Sequence, residues 1–304
     1  MPTLAGDSAD AKPALSTGPA LVSQSAAKPA TPGDQRYQQR SLLGQGGMGE
    51  VLLCRDVVIG RDVALKRAHP RREGLSDGPE RFLREARVQG QLEHPAVVPV
   101  YDLAVDGEGR LFFTMKRVRG TTLEAILDGL RGGDEAMKAR FSRRKLLQAF
   151  STVCLAVDFA HQRGVLHRDL KPANIMLGDY GEVYVLDWGL AKLAGEGEPS
   201  GQPGDAVREH DHGSAPGQTV EGIALGTPGY MSPEQVRGEM QTLTAAADVY
   251  ALGAILFEIL ALSHLHRGDT ALQLMFSTER GVDGRPSTRA PVEPVPPELD
   301  DLCQ

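Results

Sequence analysis

Between residues 37 and 115, apolar and polar residues alternate over short stretches, a spacing typical of β-strands. The segment 37–51 (YQQRSLLGQGGMGEV) predicts two strands joined by a glycine turn, and 63–66 (VALK) predicts a third. The segments 97–103 and 111–115 predict two more. We therefore expect five short strands in this part of the chain.

Helical spacing interrupts the strands once and dominates after residue 120. The segment 80–92 predicts the one helix among the strands, and 123–130 and 144–163 predict a short and a long helix further on. The segment 249–262 is almost wholly apolar but too short to span a bilayer, so we expect a buried core helix. The pattern predicts an α+β protein, with a small β-rich lobe, a larger mainly α-helical lobe and a cleft between them.

Residues 1–36 are rich in Ala, Pro, Ser, Gly and Thr and contain almost no large apolar side chains. Such a segment cannot offset the entropy lost on ordering, so we expect a disordered leader. A phosphorylated or docking segment is the alternative. Residues 37–304 form the expected folded domain, with lobes at 37–118 and 119–304.

Charge and cysteine content narrow the classes of partner. The net charge of -7 argues against a nucleic-acid binder, which needs a basic surface. The three cysteines show no metal-ligand spacing and leave one unpaired in any disulfide scheme, so a reducing, cytoplasmic compartment fits best. The N-terminus shows no signal peptide. We expect a membrane link only through segments outside this sequence.

The chemistry of the chain is concentrated at residues 167–174, which read HRDLKPAN. This stretch supplies the carboxylate of Asp169, the cation of Lys171 and the amide of Asn174. A second carboxylate, Asp187, follows the apolar run VYVL and is part of a DWG triplet. Carboxylate and amide oxygens are suitable magnesium ligands, so the arrangement favours phosphoryl transfer.

Gly44, Gly46 and Gly49 are spaced as GxGxxG, which alone is a weak signal. A dinucleotide-binding fold would continue with a helix, whereas 50–53 (EVLL) continue as a strand, so we favour a hairpin that covers phosphates.

A lysine in an apolar strand is costly unless it meets an anion, so Lys66 is expected to contact phosphate. The alternative is a solvent-facing lysine on an edge strand. Glu85, on the predicted helix, could pair with Lys66, or it could be a surface charge.

Taken in order, the glycine loop, VALK, the helix glutamate, HRDLKPAN, DWG, GTPGYMSPE and DVYALG resemble the eukaryotic-type (Hanks-type) serine/threonine protein kinases. The motif GTPGYMSPEQ is similar to that of the bacterial members of this family. The resemblance covers residues 37–304. It implies a two-lobed protein kinase fold, ATP and Mg²⁺ as cofactors with Mn²⁺ as an alternative ion, and protein substrates with serine or threonine.

The resemblance also implies residue roles. Asp169 would orient the substrate hydroxyl and accept its proton, and Lys171 would lie near the transferred phosphate. Asn174 and Asp187 would hold the magnesium ions. Thr227, in GTPGY, would hydrogen-bond Asp169 and Lys171. The position of Lys171 two residues after Asp169, and of Thr227 before the Pro-Gly-Tyr of that motif, both match the serine/threonine branch rather than the tyrosine branch.

On the nucleotide side, the resemblance makes Lys66, braced by Glu85, the contact to the α and β phosphates. Met115 would be the gatekeeper, and backbone groups around Lys116 and Val118 would hold adenine. The full nucleotide-binding set is Leu43, Gly44, Gly46, Gly47, Gly49, Val51, Ala64, Lys66, Glu85, Met115, Lys116 and Val118.

Several residues depart from the family pattern. Trp188 replaces the usual phenylalanine of the Asp-Phe-Gly triplet, and its indole N–H needs a partner. Lys116 stands where an acidic residue is usual. Glu234 normally pairs with an arginine that follows the helix expected at residue 297, and none follows here. We therefore expect a C-terminally truncated large lobe or a replaced partner.

The resemblance also bears on regulation. Asp248 is expected to bond the backbone amides near His167 and Arg168, and Arg168 suggests a positive pocket for a phosphorylated segment.

Residues 195–222 have the composition of a mobile segment. Thr219 is the favoured autophosphorylation site, with Ser214 second, through a transient homodimer. His210 and His212 could instead bind a metal, but a disordered acidic loop is the simpler interpretation.

Two other functions stay open. A pseudokinase scaffold would bind nucleotide or partners without turnover, but such proteins usually lack the lysine, the base or the metal aspartate, and all three are present here. A small-molecule phosphotransferase would lack the GTPGY and SPE motifs that shape a peptide-binding ledge.

Overall fold

The computed structural model describes residues 36–46, 49–69, 78–188, 192–193, 226–289 and 293–304. Its first part is an antiparallel sheet of five strands in the order β1-β2-β3-β5-β4, with one helix packed on it. The elements are β1 (Tyr37–Gly46), β2 (Gly49–Asp56), β3 (Arg61–Ala68), α1 (Gly78–Gln91), β4 (Val100–Val105) and β5 (Leu111–Lys116). The prediction of five strands and one helix is confirmed.

The period of two in the strands divides the apolar residues between the two faces of the sheet. Leu52, Val63 and Phe112 pack together on the outer face. Phe113 packs on the opposite face against Phe82 of α1, with ring centroids 5.2 Å apart. The helix therefore covers one face of the sheet, which is the face that carries Lys66 towards the cleft.

The second part of the chain is mainly helical, as predicted. Its elements are β6 (Thr121–Thr122), α2 (Leu123–Arg131), α3 (Glu135–Arg140), α4 (Arg143–His161), β7 (Val165–Leu166), a 3₁₀ turn (Pro172–Asn174), β8 (Ile175–Leu177), β9 (Val183–Val185), β10 (Lys192–Leu193), α5 (Pro233–Val236), α6 (Ala245–Ala261), α7 (Ala271–Arg280), a second 3₁₀ turn (Pro286–Arg289) and α8 (Pro297–Leu302). Strand β8 pairs with β6 and β9, and β10 pairs with β7.

Helix α6 is the expected core helix. Twelve of its residues are buried, including Ile255 and Phe257, and Thr244 caps its first turn. Two acids, Asp248 and Glu258, are buried in it and are therefore held by hydrogen bonds. Among the described residues, no helix combines the length and apolar composition that crossing a bilayer requires.

One strand begins later than predicted. The pattern predicts a strand over 97–103, but β4 begins at Val100. Pro99 lacks an N–H for a sheet ladder, and Val97 instead forms an isolated bridge with Val185 of β9. The main-chain N–H of Val185 donates to Ala96 O at 2.8 Å, so this segment joins the sheet to the helical part.

Some predictions lie outside the described residues. These are the leader over 1–35, Gly47 and the segment that holds His210, His212, Ser214 and Thr219. Within the described residues, Glu234 forms no ion pair, and its main-chain oxygen accepts from the Glu239 N–H at 2.9 Å.

Candidate active site

The three described glycines of the β1–β2 hairpin serve different purposes. A Cβ on Gly49 would lie 2.1 Å from the main-chain oxygen of Arg67, so strand pairing itself requires glycine there. A Cβ on Gly44 or Gly46 would meet nothing within 4 Å. Because no contact within the described residues requires those two glycines, a ligand could approach the backbone there.

Lys66 and Glu85 form the pair that the sequence suggested. Strand β3 carries Lys66 and helix α1 carries Glu85, and Lys66 Nζ lies 2.5 Å from Glu85 Oε1. Their side chains are 13% and 2% exposed, so the alternatives of an edge-strand lysine and a surface glutamate are wrong. Burial raises the pKa of Glu85, and the charge of Lys66 opposes that shift.

Lys66 also faces the second acidic motif. Its Nζ lies 3.8 Å from Asp187 Oδ1, and the Asp187 side chain is 53% exposed. The backbone of Asp187 is left-handed, with φ of 58°, a conformation that non-glycine residues adopt only where their surroundings enforce it. The structure therefore brings the lysine, the helix glutamate and the DWG aspartate to one place.

Asp169, Lys171 and Thr227 form a compact triangle. The Thr227 hydroxyl donates to Asp169 Oδ1 at 2.7 Å and accepts from Lys171 Nζ at 2.6 Å. Lys171 Nζ also lies 2.9 Å from Asp169 Oδ2. The predicted hydrogen bonds of Thr227 are thus confirmed. They hold one carboxylate and one cation side by side and facing the same space.

Asn174 is held by the same loop. It ends the 3₁₀ turn that Pro172 begins, and its Nδ2 donates to the main-chain oxygen of Asp169 at 2.9 Å. This hydrogen bond uses the amide nitrogen and leaves the amide oxygen as a ligand. Among the described residues, no group of three or more His, Cys, Asp or Glu side chains is arranged to hold a metal ion.

A buried acid supports the loop from below. Asp248 of α6 accepts from the main-chain N–H groups of His167 and Arg168, both at 2.8 Å, as predicted. Burial would raise the pKa of Asp248, but a hydrogen bond with His161 Nε2 at 2.7 Å and the two backbone bonds lower it overall. Arg168 has a left-handed φ of 71°, and these bonds hold that conformation.

His167 links the loop to the DWG triplet. Its Nδ1 accepts from the Asp169 N–H at 3.3 Å, and its Nε2 donates to Leu186 O at 3.1 Å. Its ring centroid lies 4.7 Å from that of Trp188. Trp188 is 1% exposed, and its Nε1–H has no hydrogen-bond partner within the described part of the chain. The larger ring is therefore accommodated, but its polar atom is left unsatisfied.

Sequence reasoning missed two residues that hold this loop. His161, at the end of α4, bonds Asp248, and Gln235 Nε2 in α5 donates to Arg168 O at 2.8 Å. Neither residue is itself a catalytic or binding residue of a recognisable sequence motif. The one available signal was the adjacency of Gln235 to the SPE motif.

The predicted adenine site lies where β3 meets β5. Ala64 pairs with Met115 across the strands, and Val51 of β2 pairs with Gly44 of β1. Leu43 is exposed on β1. Ala64, Met115 and Val51 thus lie on the inner strands β3, β5 and β2, and Leu43 lies on the edge strand β1.

The segment 116–118, which ends β5 and leads from the first lobe to the second, is the hinge, and the protein already uses part of it. The N–H of Lys116 donates to Pro99 O at 3.1 Å, so any adenine contact of this residue falls to its carbonyl. The Lys116 side chain turns to Tyr184 of β9 and donates to its hydroxyl. Val118, two residues later, is half-buried. Lys116, where the family usually has an acidic residue, therefore has a side-chain partner of its own in Tyr184.

Comparison with known proteins shows which family the chain resembles. A family model described as the protein kinase domain matches residues 37–301. The chain is similar to the serine/threonine-protein kinase PknD of Chlamydia muridarum, with 38% identity over 281 residues. It is also similar to PknD of Chlamydia trachomatis serovar D, at 37% over 276 residues, and of Chlamydia pneumoniae, at 36% over 271 residues.

The coverage of these matches is uneven. The alignment with the Chlamydia muridarum protein covers 88% of this chain but 29% of that relative. The corresponding shares for the Chlamydia pneumoniae protein are 87% and 28%. The chain therefore spans less than a third of the length of the curated relatives that it matches.

Proposed function

The chain belongs to the protein kinase domain family, and on that premise we propose that it transfers the γ-phosphate of ATP to serine and threonine hydroxyls of proteins. One observation carries the proposal. The Asp169–Thr227–Lys171 triangle and the Lys66–Glu85 pair with Asp187 adjoin, because the Leu186 N–H beside Asp187 donates to Asn174 O of the Asp169 loop at 2.8 Å, and we take the space between the two groups as the cleft. Phosphoryl transfer requires alignment and charge neutralisation more than covalent chemistry, and this cleft offers both.

In this proposal Asp169 acts on the substrate hydroxyl. Its carboxylate accepts the hydrogen bond of the incoming alcohol and then its proton, and Thr227 and Lys171 hold it in place. The Lys171 ammonium stabilises the negative charge that develops on the transferred phosphoryl group. Lys171 and Thr227 also match the pattern of the serine/threonine branch, and the tyrosine-specific branch differs at both positions.

Lys66 positions the nucleotide. Glu85 accepts one hydrogen bond from its ammonium, and the remaining N–H donors would contact the α and β phosphates. Gly44 and Gly46 allow the hairpin backbone to approach the phosphates closely, because nothing surrounds a Cβ at either position. Adenine would contact the backbone around Lys116 and Val118.

The residues present fit magnesium. Asp187 supplies an exposed carboxylate and Asn174 an amide oxygen, and magnesium is commonly held by one or two carboxylates together with phosphates and water. When bound, the ions neutralise phosphate charge and orient the γ-phosphate. Mn²⁺, which takes similar oxygen ligands, would be an alternative.

The proposal includes regulation and location. Thr219 would be autophosphorylated in a transient homodimer, and a cytoplasmic site of action fits the three free cysteines. Phosphate found only outside residues 195–222 after incubation with ATP and Mg²⁺ would contradict this part.

The test is transfer of labelled phosphate from ATP and Mg²⁺ to the chain itself and to a generic basic protein. We expect transfer by the unmodified chain and strong loss in Asp169→Asn and Lys66→Met. Phosphoamino-acid analysis should show phosphoserine and phosphothreonine. Equal incorporation by all three proteins would overturn the mechanism. Nucleotide binding without transfer by the unmodified chain would instead indicate a pseudokinase.

A further inference from the structure

Gln235 is a buried polar residue of α5 to which the proposed mechanism gives no part, and it is 2% exposed. Its Oε1 accepts from the Ser232 N–H at 3.1 Å, which closes the capping box of α5. Its Nε2 donates to Arg168 O at 2.8 Å, across 67 positions of the chain. The amide oxygen therefore caps the helix, whereas the amide nitrogen binds the residue directly before Asp169.

The bond from Gln235 holds the peptide unit that carries Asp169. Arg168 O and Asp169 N belong to one planar peptide group, so fixing the oxygen fixes the orientation of the plane. On the other edge of this plane, the Asp169 N–H donates to His167 Nδ1 at 3.3 Å. Arg168 has a left-handed φ of 71°, a conformation that persists only where its surroundings hold it. Gln235 thus supplies one of the bonds that set the direction in which the Asp169 side chain leaves the main chain.

The bond between Gln235 and Arg168 is closely packed. The main chain of Gly226 passes beside it, and a Cβ on that glycine would lie 3.3 Å from Arg168 O and 3.3 Å from Gln235 Nε2. Arg168 is 5% exposed. Because the site is shielded from solvent, loss of the amide donor is not offset by a bond to bulk water. Removing the donor should therefore shift the Arg168 carbonyl.

The stretch that contains Gln235 also holds Asp169 at a second point. Thr227, eight residues before Gln235, donates to Asp169 Oδ1 at 2.7 Å. Thr227 fixes the carboxylate, and Gln235 fixes the main chain from which that carboxylate extends. A side chain held at one end alone can still turn about its own bonds, whereas one held at both ends keeps its direction. Such alignment of a reacting group is a large part of catalysis.

We propose that Gln235 is a positioning residue for phosphoryl transfer, whose side-chain amide orients Asp169 through the carbonyl of Arg168. The inference rests on the proposed function, because it assigns Gln235 a part in that reaction. Since Gln235 is 2% exposed, it has almost no surface with which to touch ATP or a protein substrate. It therefore acts on the rate of the transfer step and not on the affinity for nucleotide.

The first test is steady-state transfer from ATP and Mg²⁺ to a serine peptide by the unmodified chain and by Gln235→Met. Methionine has the length of glutamine but no N–H donor. We expect kcat to fall about 10- to 100-fold, because a small misplacement of a reacting group has an effect of this order. The KM for ATP should stay within about twofold, as expected when only the transition state loses an interaction.

Gln89→Met is the matched control. Gln89 is also buried, and its Nε2 donates to Val98 O at 2.8 Å, a bond of the same kind and length in the first lobe. Because this Nε2 also lies 3.9 Å from Met115 Sδ, kcat at saturating ATP is the quantity compared. It should stay within about threefold of the parent value, although each variant loses one buried hydrogen bond.

A second measurement reads the 168–169 peptide directly. Arginine precedes aspartate at three places in the chain, before Asp56, Asp62 and Asp169. Carbonyl-¹³C arginine and ¹⁵N aspartate therefore give three resonances in an NMR spectrum that correlates each amide with the preceding carbonyl. In Gln235→Met the Asp169 resonance should move, because the Arg168 carbonyl loses a hydrogen bond, and the other two should stay. Loss of packing throughout the chain would move all three.

The outcomes separate the inference from the proposed function. Transfer by the unmodified chain with an unchanged kcat in Gln235→Met would overturn the inference alone. An equal loss in Gln89→Met, a parallel rise in the KM for ATP, or movement of all three resonances would also overturn it, because each indicates general destabilisation. No transfer by the unmodified chain would overturn the proposed function and the inference together.

Thermal unfolding checks that each variant is folded. If Gln235→Met is not folded, Gln235→Glu at about pH 9 replaces it in both measurements, because glutamate keeps the acceptor of the capping box and its ionised carboxylate cannot donate to Arg168 O. The same fall in kcat is expected, and an unchanged kcat would overturn the inference.

Discussion

Replacing Thr227 by valine tests the triangle at the centre of the cleft. Valine keeps the branched shape of threonine but puts a methyl group where the hydroxyl stands. A methyl carbon stays about 3.5 Å from its neighbours. Lys171 Nζ and Asp169 Oδ1 lie 2.6 and 2.7 Å from the Thr227 oxygen, so both must retreat. The substitution therefore removes two hydrogen bonds and displaces both charged groups.

The size of the effect follows from these contacts. A hydrogen bond to a charged group contributes about 1.5–3 kcal/mol. The direct contact between Lys171 and Asp169 at 2.9 Å survives and offsets part of the loss. We expect ~2–3 kcal/mol less transition-state stabilisation, which is a fall of roughly 30- to 160-fold in kcat/KM.

The assay is steady-state transfer to a peptide substrate, with nucleotide affinity measured separately. Thr227→Ser is the matched control, because it keeps the hydroxyl, and it should stay within roughly threefold of the parent, less than 1 kcal/mol. Unchanged kcat/KM in Thr227→Val would refute the reasoning. Equal impairment of the serine variant would show that the methyl group, not the hydroxyl, matters.

Three further predictions address the surrounding contacts. Glu85→Gln removes the charge that holds Lys66, so the KM for ATP should rise about tenfold, near 1.4 kcal/mol, in transfer kinetics. Asp248→Asn cannot accept from all of its present donors and should lower the free energy of unfolding by about 3 kcal/mol in urea titrations at neutral pH. Gly49→Ala should lower the same quantity by about 1–3 kcal/mol, whereas Gly44→Ala should leave it unchanged and weaken only nucleotide binding.

The pH dependence of Asp248 has a defined sign. Its pKa is lower in the folded chain, so its contribution to stability is present above the ordinary value of about 3.9 and is lost as the pH falls through the folded pKa. The unmodified chain should therefore lose stability in acid more steeply than Asp248→Asn. Parallel acid curves would contradict this assignment. An unchanged KM in Glu85→Gln would contradict the role of Glu85 in holding Lys66. Equal stabilities of the two glycine variants would contradict the packing argument for Gly49.

The local sequence pattern was sufficient to predict a feature where the residues that form it are close in the chain. Asp169, Lys171 and Asn174 fall within one turn of loop, and their proximity follows from covalent connection alone. The strands and helices came from periods of two and 3.6, which depend on the side of each element that is buried. The late start of β4 was missed, although Pro99 is visible in the sequence, and the bridge between Val97 and Val185 that accompanies it is a long-range contact.

Pairing across the fold was predicted where the family resemblance supplied it, as for Thr227 with Asp169, or where a charge in an apolar strand needs a partner, as for Lys66 with Glu85. Without such a precedent the contacts were missed. His161 meets Asp248 across 87 positions, and Gln235 meets Arg168 across 67. The sequence also predicted that the Trp188 N–H needs a partner, and the described structure provides none.

The amino-acid order by itself determined which chemical groups this protein has, and the elements that carry them. Tertiary structure alone decided that Lys116 turns from the cleft to Tyr184, and that a cavity remains beside it. The physical reason is that a side chain's partner depends on the path of backbone segments far away in the chain. A cavity has no residue of its own, because it is the space that several packed elements leave between them.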